Sequence, residues 1–114
     1  MPWNDVDRST MAVCVDGCLY VFGGTEANGD SFVPLVECER YSPADDAWTC
    51  LAPMPTYREG FTPVVVEHHV HLVGGWRLRD GKDDYGYPGS YEAAWQLVEI
   101  YDTKEEFFTP PVSL

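Results

Sequence analysis

The chain has 114 residues, of which 45% are hydrophobic, 14% aromatic and 23% charged. This length fits one ordinary domain, and the composition is typical of a folded protein rather than a disordered one. Acidic residues number 19 against 7 lysines and arginines, and the resulting net charge of −12 argues against nucleic acid or an anionic membrane as a partner.

The apolar runs are too short to span a membrane, and the opening residues MPWNDVDRST have no basic segment followed by an apolar one. Neither a transmembrane span nor a secretory signal is therefore predicted. The expected location is the cytoplasm, with the nucleus or the cytoskeleton as variants. The cysteines form no CxxC pair and are expected to be free thiols in such a reducing compartment. They are Cys14, Cys18, Cys38 and Cys50.

The first predicted element is a strand–turn–strand hairpin in residues 11–24, MAVCVDGCLYVFGG. Asp16-Gly17 tolerates the positive φ angles of a two-residue turn, so the turn sets the pairing. That pairing places Val15 opposite Cys18, Cys14 opposite Leu19 and Val13 opposite Tyr20. Both strands are apolar on both faces, which predicts a hairpin buried on two sides. Gly23 and Gly24 then end the second strand.

Residues 61–75, FTPVVVEHHVHLVGG, repeat this plan with Glu67-His68 at the turn and Gly74-Gly75 at the end. A polar stretch follows each glycine pair, at 25–34 and at 76–94. An apolar strand then resumes in both copies, as LVECERY and QLVEIY. Each strand ends in a tyrosine that precedes a large aromatic residue by seven positions. The pairs are Tyr41 with Trp48 and Tyr101 with Phe108.

A repeat of about 50 residues with four strands is typical of a propeller blade. The glycine pair, the tyrosine and the aromatic residue at this spacing resemble a kelch repeat, and the second copy has Phe108 where the motif has tryptophan. The resemblance implies an all-β fold, a partial β-propeller made of two four-stranded kelch blades. It also implies that the tyrosines and the later aromatics pack between neighbouring blades. The predicted units are 1–53, with a leading linker, and 54–114, with the long loop 76–94.

Two blades do not close a ring, because propellers typically have about four to eight. The outer flanks of both sheets would stay apolar and exposed, so closure is expected to need further blades or self-association.

The loops after the glycine pairs and the linkers near 2–9 and 53–60 are expected at the same end of the blades, where kelch-like adaptors recruit substrates. Basic and aromatic residues cluster in these loops and linkers. The guanidinium groups are predicted to bind an acidic partner, and the aromatic side chains to anchor a protein surface. Two simpler alternatives are that the arginines neutralise nearby acidic side chains and that the aromatic residues pack within their own long loop. The predicted partner-binding residues are Arg58, Arg77, Arg79, Trp76, Tyr85 and Tyr87.

The segment EHHVH at 67–71 raises the question of a metal. His69 and His71 share one face of the predicted strand, but no further ligand lies at a recognised spacing, so no metal site and no cofactor are predicted. Nucleotide-binding and nucleophile-elbow motifs are absent from the sequence, and no catalytic residue is predicted.

The leading functional hypothesis is a non-catalytic protein-interaction module. By resemblance to kelch-like adaptors, it would be the substrate-recognition part of a cullin-based ubiquitin ligase. Two alternatives remain open, an actin-binding structural kelch protein and part of a kelch-propeller enzyme of the carbohydrate oxidase or epimerase type.

Overall fold

The computed structural model describes residues 6–7, 11–28, 31–78, 91–93, 97–109 and 112–113. Every regular element in these ranges is a β-strand, which confirms the all-β prediction, and none of them contains a helix that could cross a membrane. The strands in chain order are β1 (Val6–Asp7), β2 (Ala12–Val15), β3 (Cys18–Phe22), β4 (Thr25–Asn28), β5 (Ser31–Pro34), β6 (Cys38–Ser42), β7 (Ala47–Leu51), β8 (Arg58–Glu59), β9 (Thr62–Val66), β10 (His69–Val73), β11 (Trp76–Leu78), β12 (Tyr91–Ala93), β13 (Leu97–Asp102), β14 (Phe107–Phe108) and β15 (Val112–Ser113).

The first blade is the antiparallel sheet β2-β3-β6-β7. Its hairpin has the predicted register, with Val15 opposite Cys18 and the preceding residues paired in step. Asp16 and Gly17 form the turn with φ values of 50° and 79°, the positive angles that a tight hairpin turn requires. The aspartate–glycine dipeptide therefore sets the register of this blade.

The second blade is the antiparallel sheet β9-β10-β13-β14, and β15 also pairs with β13. Its turn forms although it contains no glycine: Glu67 adopts a φ of 57°, and Val66 pairs with His69. A glutamate in this region is strained relative to glycine. The ladders between β9, β10 and β13 hold the turn in place.

The repeated tyrosine–aromatic spacing is a cross-strand pair in both blades. Tyr41 lies opposite Trp48, with ring centroids 5.1 Å apart, and Tyr101 lies opposite Phe108 at 4.9 Å. Paired aromatic side chains on neighbouring strands stabilise a sheet beyond the area that they bury. The six-residue gap thus consists of one further cross-strand pair and the four-residue turn that joins the two strands.

An aromatic core joins the two blades. Phe22 of the first blade is fully buried and contacts Tyr101 and Phe108 of the second, with centroid distances of 5.7 and 6.2 Å. Tyr20 also contacts Tyr101, at 6.2 Å. The second repeat therefore confirms the expectation that the motif aromatics pack between blades.

The first hairpin is buried on both faces at β3, as expected, because the consecutive side chains of Val21 and Phe22 are 1% and 0% exposed. Other strands have exposed apolar side chains on the outer faces of the blades. Trp48 is 39% exposed on the first blade, and Val64, Val66 and Phe107 are exposed on the second. The described residues contain no third four-stranded sheet, so within them each blade packs against one other blade.

Two small sheets stand at the end of the blades that holds the glycine pairs. The orders are β1-β4-β5 and β8-β11-β12, so each stretch after a glycine pair forms a hairpin that also pairs with a linker strand. The prediction of plain loops at 25–34 and 76–94 is corrected in part. The sequence did not signal the strands in 25–34, because TEANGDSFVP shows no alternation of apolar and polar residues.

Candidate functional site

The linker before the second blade and the loop after its glycine pair lie side by side. Glu59 pairs with Trp76, and Arg58 pairs with Arg77, through the antiparallel strands β8 and β11. The first blade has the same arrangement in β1 and β4, where Asp7 pairs with Thr25. The predicted meeting of linkers and loops at one end is therefore confirmed.

A buried arginine ties this end together. The Arg58 side chain is fully buried and donates from Nη2 to the Gly74 carbonyl at 2.7 Å and from Nη1 to Glu99 Oε1 at 3.2 Å. The Thr56 hydroxyl donates to the same Glu99 oxygen. The guanidinium thus connects the linker, the glycine pair and the middle of β13.

These contacts correct the prediction that Arg58 captures an acidic partner. Its guanidinium is already paired with a buried carboxylate of the same chain. It therefore stabilises the linker and the loop beside it and does not form part of the partner-binding surface. Two charges removed from water need close pairing and further hydrogen bonds. Glu99 Oε1 has both, from Arg58 and Thr56, whereas Oε2 is buried and no described group donates to it.

Gly23 shows a second close approach at this end of the blades. Its φ is +60°, and a Cβ atom there would lie 2.6 Å from Met54 Cε and 2.8 Å from the Leu35 carbonyl oxygen. Met54 is buried, and its backbone N–H donates to the Val36 carbonyl at 2.8 Å. The glycine therefore lets the linker between the blades pack directly on the strand end.

Trp76 presents an exposed aromatic surface above the buried arginine. It begins β11 and is 53% exposed, and Tyr57, next to Arg58 in the linker, is 43% exposed. The backbone of Arg77 pairs within the same small sheet. Arg79, Tyr85 and Tyr87 lie outside the described residues, so their assignment to the binding surface stays a prediction.

His69 and His71 lie two residues apart on β10 and so share one face of the strand, as predicted. His69 also contacts the His68 ring, at a centroid distance of 4.1 Å, and the Asp102 carboxylate, at 3.4 Å. The turn thus brings the His68 and His69 imidazoles together.

Sequence reasoning missed Glu99 as a partner of Arg58. One signal was present: each repeat has a glutamate two positions before the motif tyrosine, Glu39 before Tyr41 and Glu99 before Tyr101. In a strand, residues two apart face the same side. A glutamate on the same face as a buried tyrosine needs a cationic or hydrogen-bonding partner.

The buried Tyr101 hydroxyl predicts a pH effect on stability. Burial raises its pKa from 10.0 to about 12, and no described group accepts its hydrogen bond. A folded-state pKa above the unfolded value favours the fold below pH 10, and this contribution is lost as the pH rises from 10 through 12. Tyr101→Phe is expected to leave stability near neutral pH unchanged or slightly higher and to weaken the alkaline loss.

Urea denaturation at several pH values, from about 8 to about 11, measures this effect. Tyr57→Phe is the control, because that side chain is 43% exposed. An alkaline loss in the Tyr101→Phe protein as steep as in the unmodified chain contradicts the assignment.

The geometry defines two stacked four-stranded blades with linkers and loops joined at one end, which is the plan of a β-propeller. The solved structure of YjhT has the same fold: it superposes with a TM-score of 0.65 at 16% identity, over 90% of this chain and 37% of that chain. Residues 12–55 match the family model described as the Kelch motif.

Curated relatives extend this match. Kelch-like protein 34 of Homo sapiens is 41% identical over 51 residues, 45% of this chain and 8% of that protein. Kelch-like protein terF of Aspergillus terreus is 37% identical over 73 residues, with 61% and 16% covered. Beta-scruin of Limulus polyphemus is 32% identical over 72 residues, with 63% and 8% covered.

Residues 12–55 thus contain a kelch motif, these relatives support a kelch-repeat family for the chain, and the two sheets have the arrangement of blades in a partial propeller. The chain spans between 8% and 16% of the length of these curated relatives.

Proposed function

We propose that this chain is a non-catalytic protein-interaction module that binds its partner through the end of the blades formed by the linkers and the loops after the glycine pairs. The observation that carries the proposal is Trp76, an indole 53% exposed at the start of a strand that the buried Arg58 contacts hold in position. Exposed tryptophan on a fixed scaffold is typical of binding hot spots. Tyr57 adds a second aromatic group on the linker.

The finer role that we propose is substrate recognition for a cullin-based ubiquitin ligase, in the cytoplasm. Similarity to two proteins named kelch-like is consistent with this role, and the match to beta-scruin keeps the actin-binding role as the second candidate. Arg77 and Arg79, followed by Tyr85 and Tyr87, would extend the surface around Trp76. The protein has a net charge of −12, so these arginines form a locally basic region on an acidic molecule. Such a region favours a partner that has acidic groups next to its apolar contact surface.

The covered flank between the blades supports a further part of the proposal. Tyr101 and Phe108 of the second blade contact Phe22 of the first blade, whereas Trp48, at the position of Phe108 in the first repeat, is 39% exposed. The same position in the repeat is thus more exposed in the first blade. We propose that further kelch blades, or a second copy of this chain, supply the missing cover.

Trp76→Ala tests the binding surface. The chain serves as bait in quantitative affinity capture, and Phe107→Ala is the matched control, since Phe107 is 46% exposed on another strand, β14. Loss of a hot-spot aromatic typically costs about 2 kcal/mol or more, so captured partners should fall by roughly 30-fold in affinity. Arg77→Ala combined with Arg79→Ala is expected to weaken the same partners without changing thermal stability.

The identity of the affected proteins separates the roles. Proteins that depend on Trp76 and accumulate in cells when cullin ligases are inhibited support the ubiquitin-ligase role. Co-sedimentation with actin filaments that depends on Trp76 would instead support the structural role. A set of partners that Trp76→Ala and Phe107→Ala leave equally intact contradicts the proposed surface.

A further inference from the structure

Two turns meet at the end of the second blade away from the glycine pairs. One is the Glu67-His68 turn between β9 and β10, and the other joins β13 to β14. Thr103 links them, because both its backbone N–H and its hydroxyl donate to the His68 carbonyl, at 3.0 and 2.8 Å. The backbone around these turns is therefore fixed.

Three metal-binding side chains converge where the turns meet. His68 Nε2 lies 3.8 Å from Asp102 Oδ1, and His69 Nε2 lies 3.4 Å from Asp102 Oδ2. The imidazole rings are 4.1 Å apart between centroids, and one ligand atom from each of the three residues falls within 4.8 Å of the others. This cluster joins residues that are more than thirty positions apart in the chain.

The Asp102 carboxylate is held in orientation by the backbone. Its Oδ1 accepts hydrogen bonds from the N–H groups of Lys104 and Glu105, at 2.9 and 3.0 Å. Carboxylates and imidazoles oriented by a second set of hydrogen bonds are typical of metal ligands in proteins. Oδ2 faces His69, so one oxygen is anchored while the other is directed at an imidazole.

The first blade shows that the fold does not require these three residues. In the matching registers, Gly17 stands at the position of His68, Cys18 at that of His69 and Ser42 at that of Asp102. The same turns form in both blades with different side chains. The histidine–histidine–aspartate set is thus a feature of the second blade, not of the repeat.

We propose that His68, His69 and Asp102 bind a divalent transition-metal ion, and that Zn²⁺ is the ion that this donor set fits best. Zinc bonds of about 2.0–2.1 Å in tetrahedral geometry place ligand atoms roughly 3.4 Å apart. The 3.4 Å from His69 Nε2 to Asp102 Oδ2 matches that value, and one ligand atom from each of the three residues lies within 4.8 Å of the others. His68 and His69 are partly exposed, at 28% and 35%, so solvent has access to a fourth ligand position.

Such an ion would cross-link the two turns at the end away from Trp76 and so would not belong to the proposed partner surface. Three protein ligands with an open position are typical of zinc sites that bind a further group. A side chain from a bound protein or a second copy of the chain would complete the coordination.

Isothermal titration calorimetry of the intact chain with ZnCl₂ tests the site, with Co²⁺ absorption spectra as a second readout of tetrahedral coordination. We expect saturable binding with one ion per chain. Asp102→Ser and His68→Gly introduce the residues that the first blade has at these positions. Each is expected to weaken binding more than tenfold, since even partners outside the ligand set typically contribute 10- to 100-fold.

His71→Tyr is the matched control, because the first blade has Tyr20 at that position and His71 is not part of the cluster. It should bind zinc as the unmodified chain does. Circular dichroism establishes that each variant is folded before titration. The absence of saturable binding, or a binding constant that falls in His71→Tyr but not in Asp102→Ser, overturns the proposal.

Discussion

Replacing Arg58 with methionine is expected to lower the free energy of unfolding by about 3–5 kcal/mol, because the Glu99 carboxylate would remain buried without its cationic partner. Both side chains are fully shielded from solvent, at 0% exposure. The substitution also removes the hydrogen bond to the Gly74 carbonyl. Urea denaturation followed by tryptophan fluorescence, at a fixed chain concentration, measures the loss.

Arg40→Met is the matched control. Arg40 and Glu106 form an arginine–glutamate pair of similar length, 3.1 Å, but their side chains are 27% and 57% exposed. A pair of this kind contributes about 0–1 kcal/mol. Arg58→Met combined with Glu99→Leu should recover much of the stability, because no unpaired charge remains. Equal losses in the Arg58 and Arg40 variants would contradict the structural role of the buried pair.

Phe22→Ala is expected to destabilise the chain by about 3–5 kcal/mol, the usual cost of removing a buried aromatic side chain. Phe22 is fully buried and contacts Tyr101 and Phe108 across the boundary between the blades. Its loss opens a cavity in the layer that holds the two sheets together. The same urea measurement applies, and the slope with denaturant reports whether the blades still unfold as one unit.

Val73→Ala is the control for Phe22, because Val73 occupies the equivalent position at the end of β10 and is 38% exposed. Its loss should cost less than about 1 kcal/mol, since little apolar area is buried there. A Phe22 variant as stable as the Val73 variant would show that the aromatic layer does not hold the blades together.

The sequence predicted the two blades and their hairpin register because the signals were local. Asp16-Gly17 sets the pairing of its own hairpin, and the spacing from Tyr41 to Trp48 fits a strand–turn–strand unit. The small sheets were missed because TEANGDSFVP has no alternation of apolar and polar residues. Their backbone ladders with the linkers are tertiary contacts, which no local pattern signals.

The candidate site was predicted less completely, because its contacts are tertiary. The alternating direction of successive strands was sufficient to predict that Trp76 and the linker lie at the same end of the blades. The burial of Arg58 depends on Glu99, which lies 41 positions away. The glutamate two positions before each motif tyrosine signals that a partner is needed, but it does not identify Arg58 as that partner. The contacts of Asp102 with His68 and His69 are also tertiary, and no spacing in the sequence indicated them.

Light scattering coupled to size-exclusion chromatography most directly tests the claim that these are two propeller blades with uncovered flanks. A single chain has a mass of 12.8 kDa. Exposed Val64, Val66 and Trp48 on opposite outer faces predict self-association of the isolated chain, with a mass that rises with concentration. A folded monomer of 12.8 kDa at every concentration would contradict the claim that both flanks need cover.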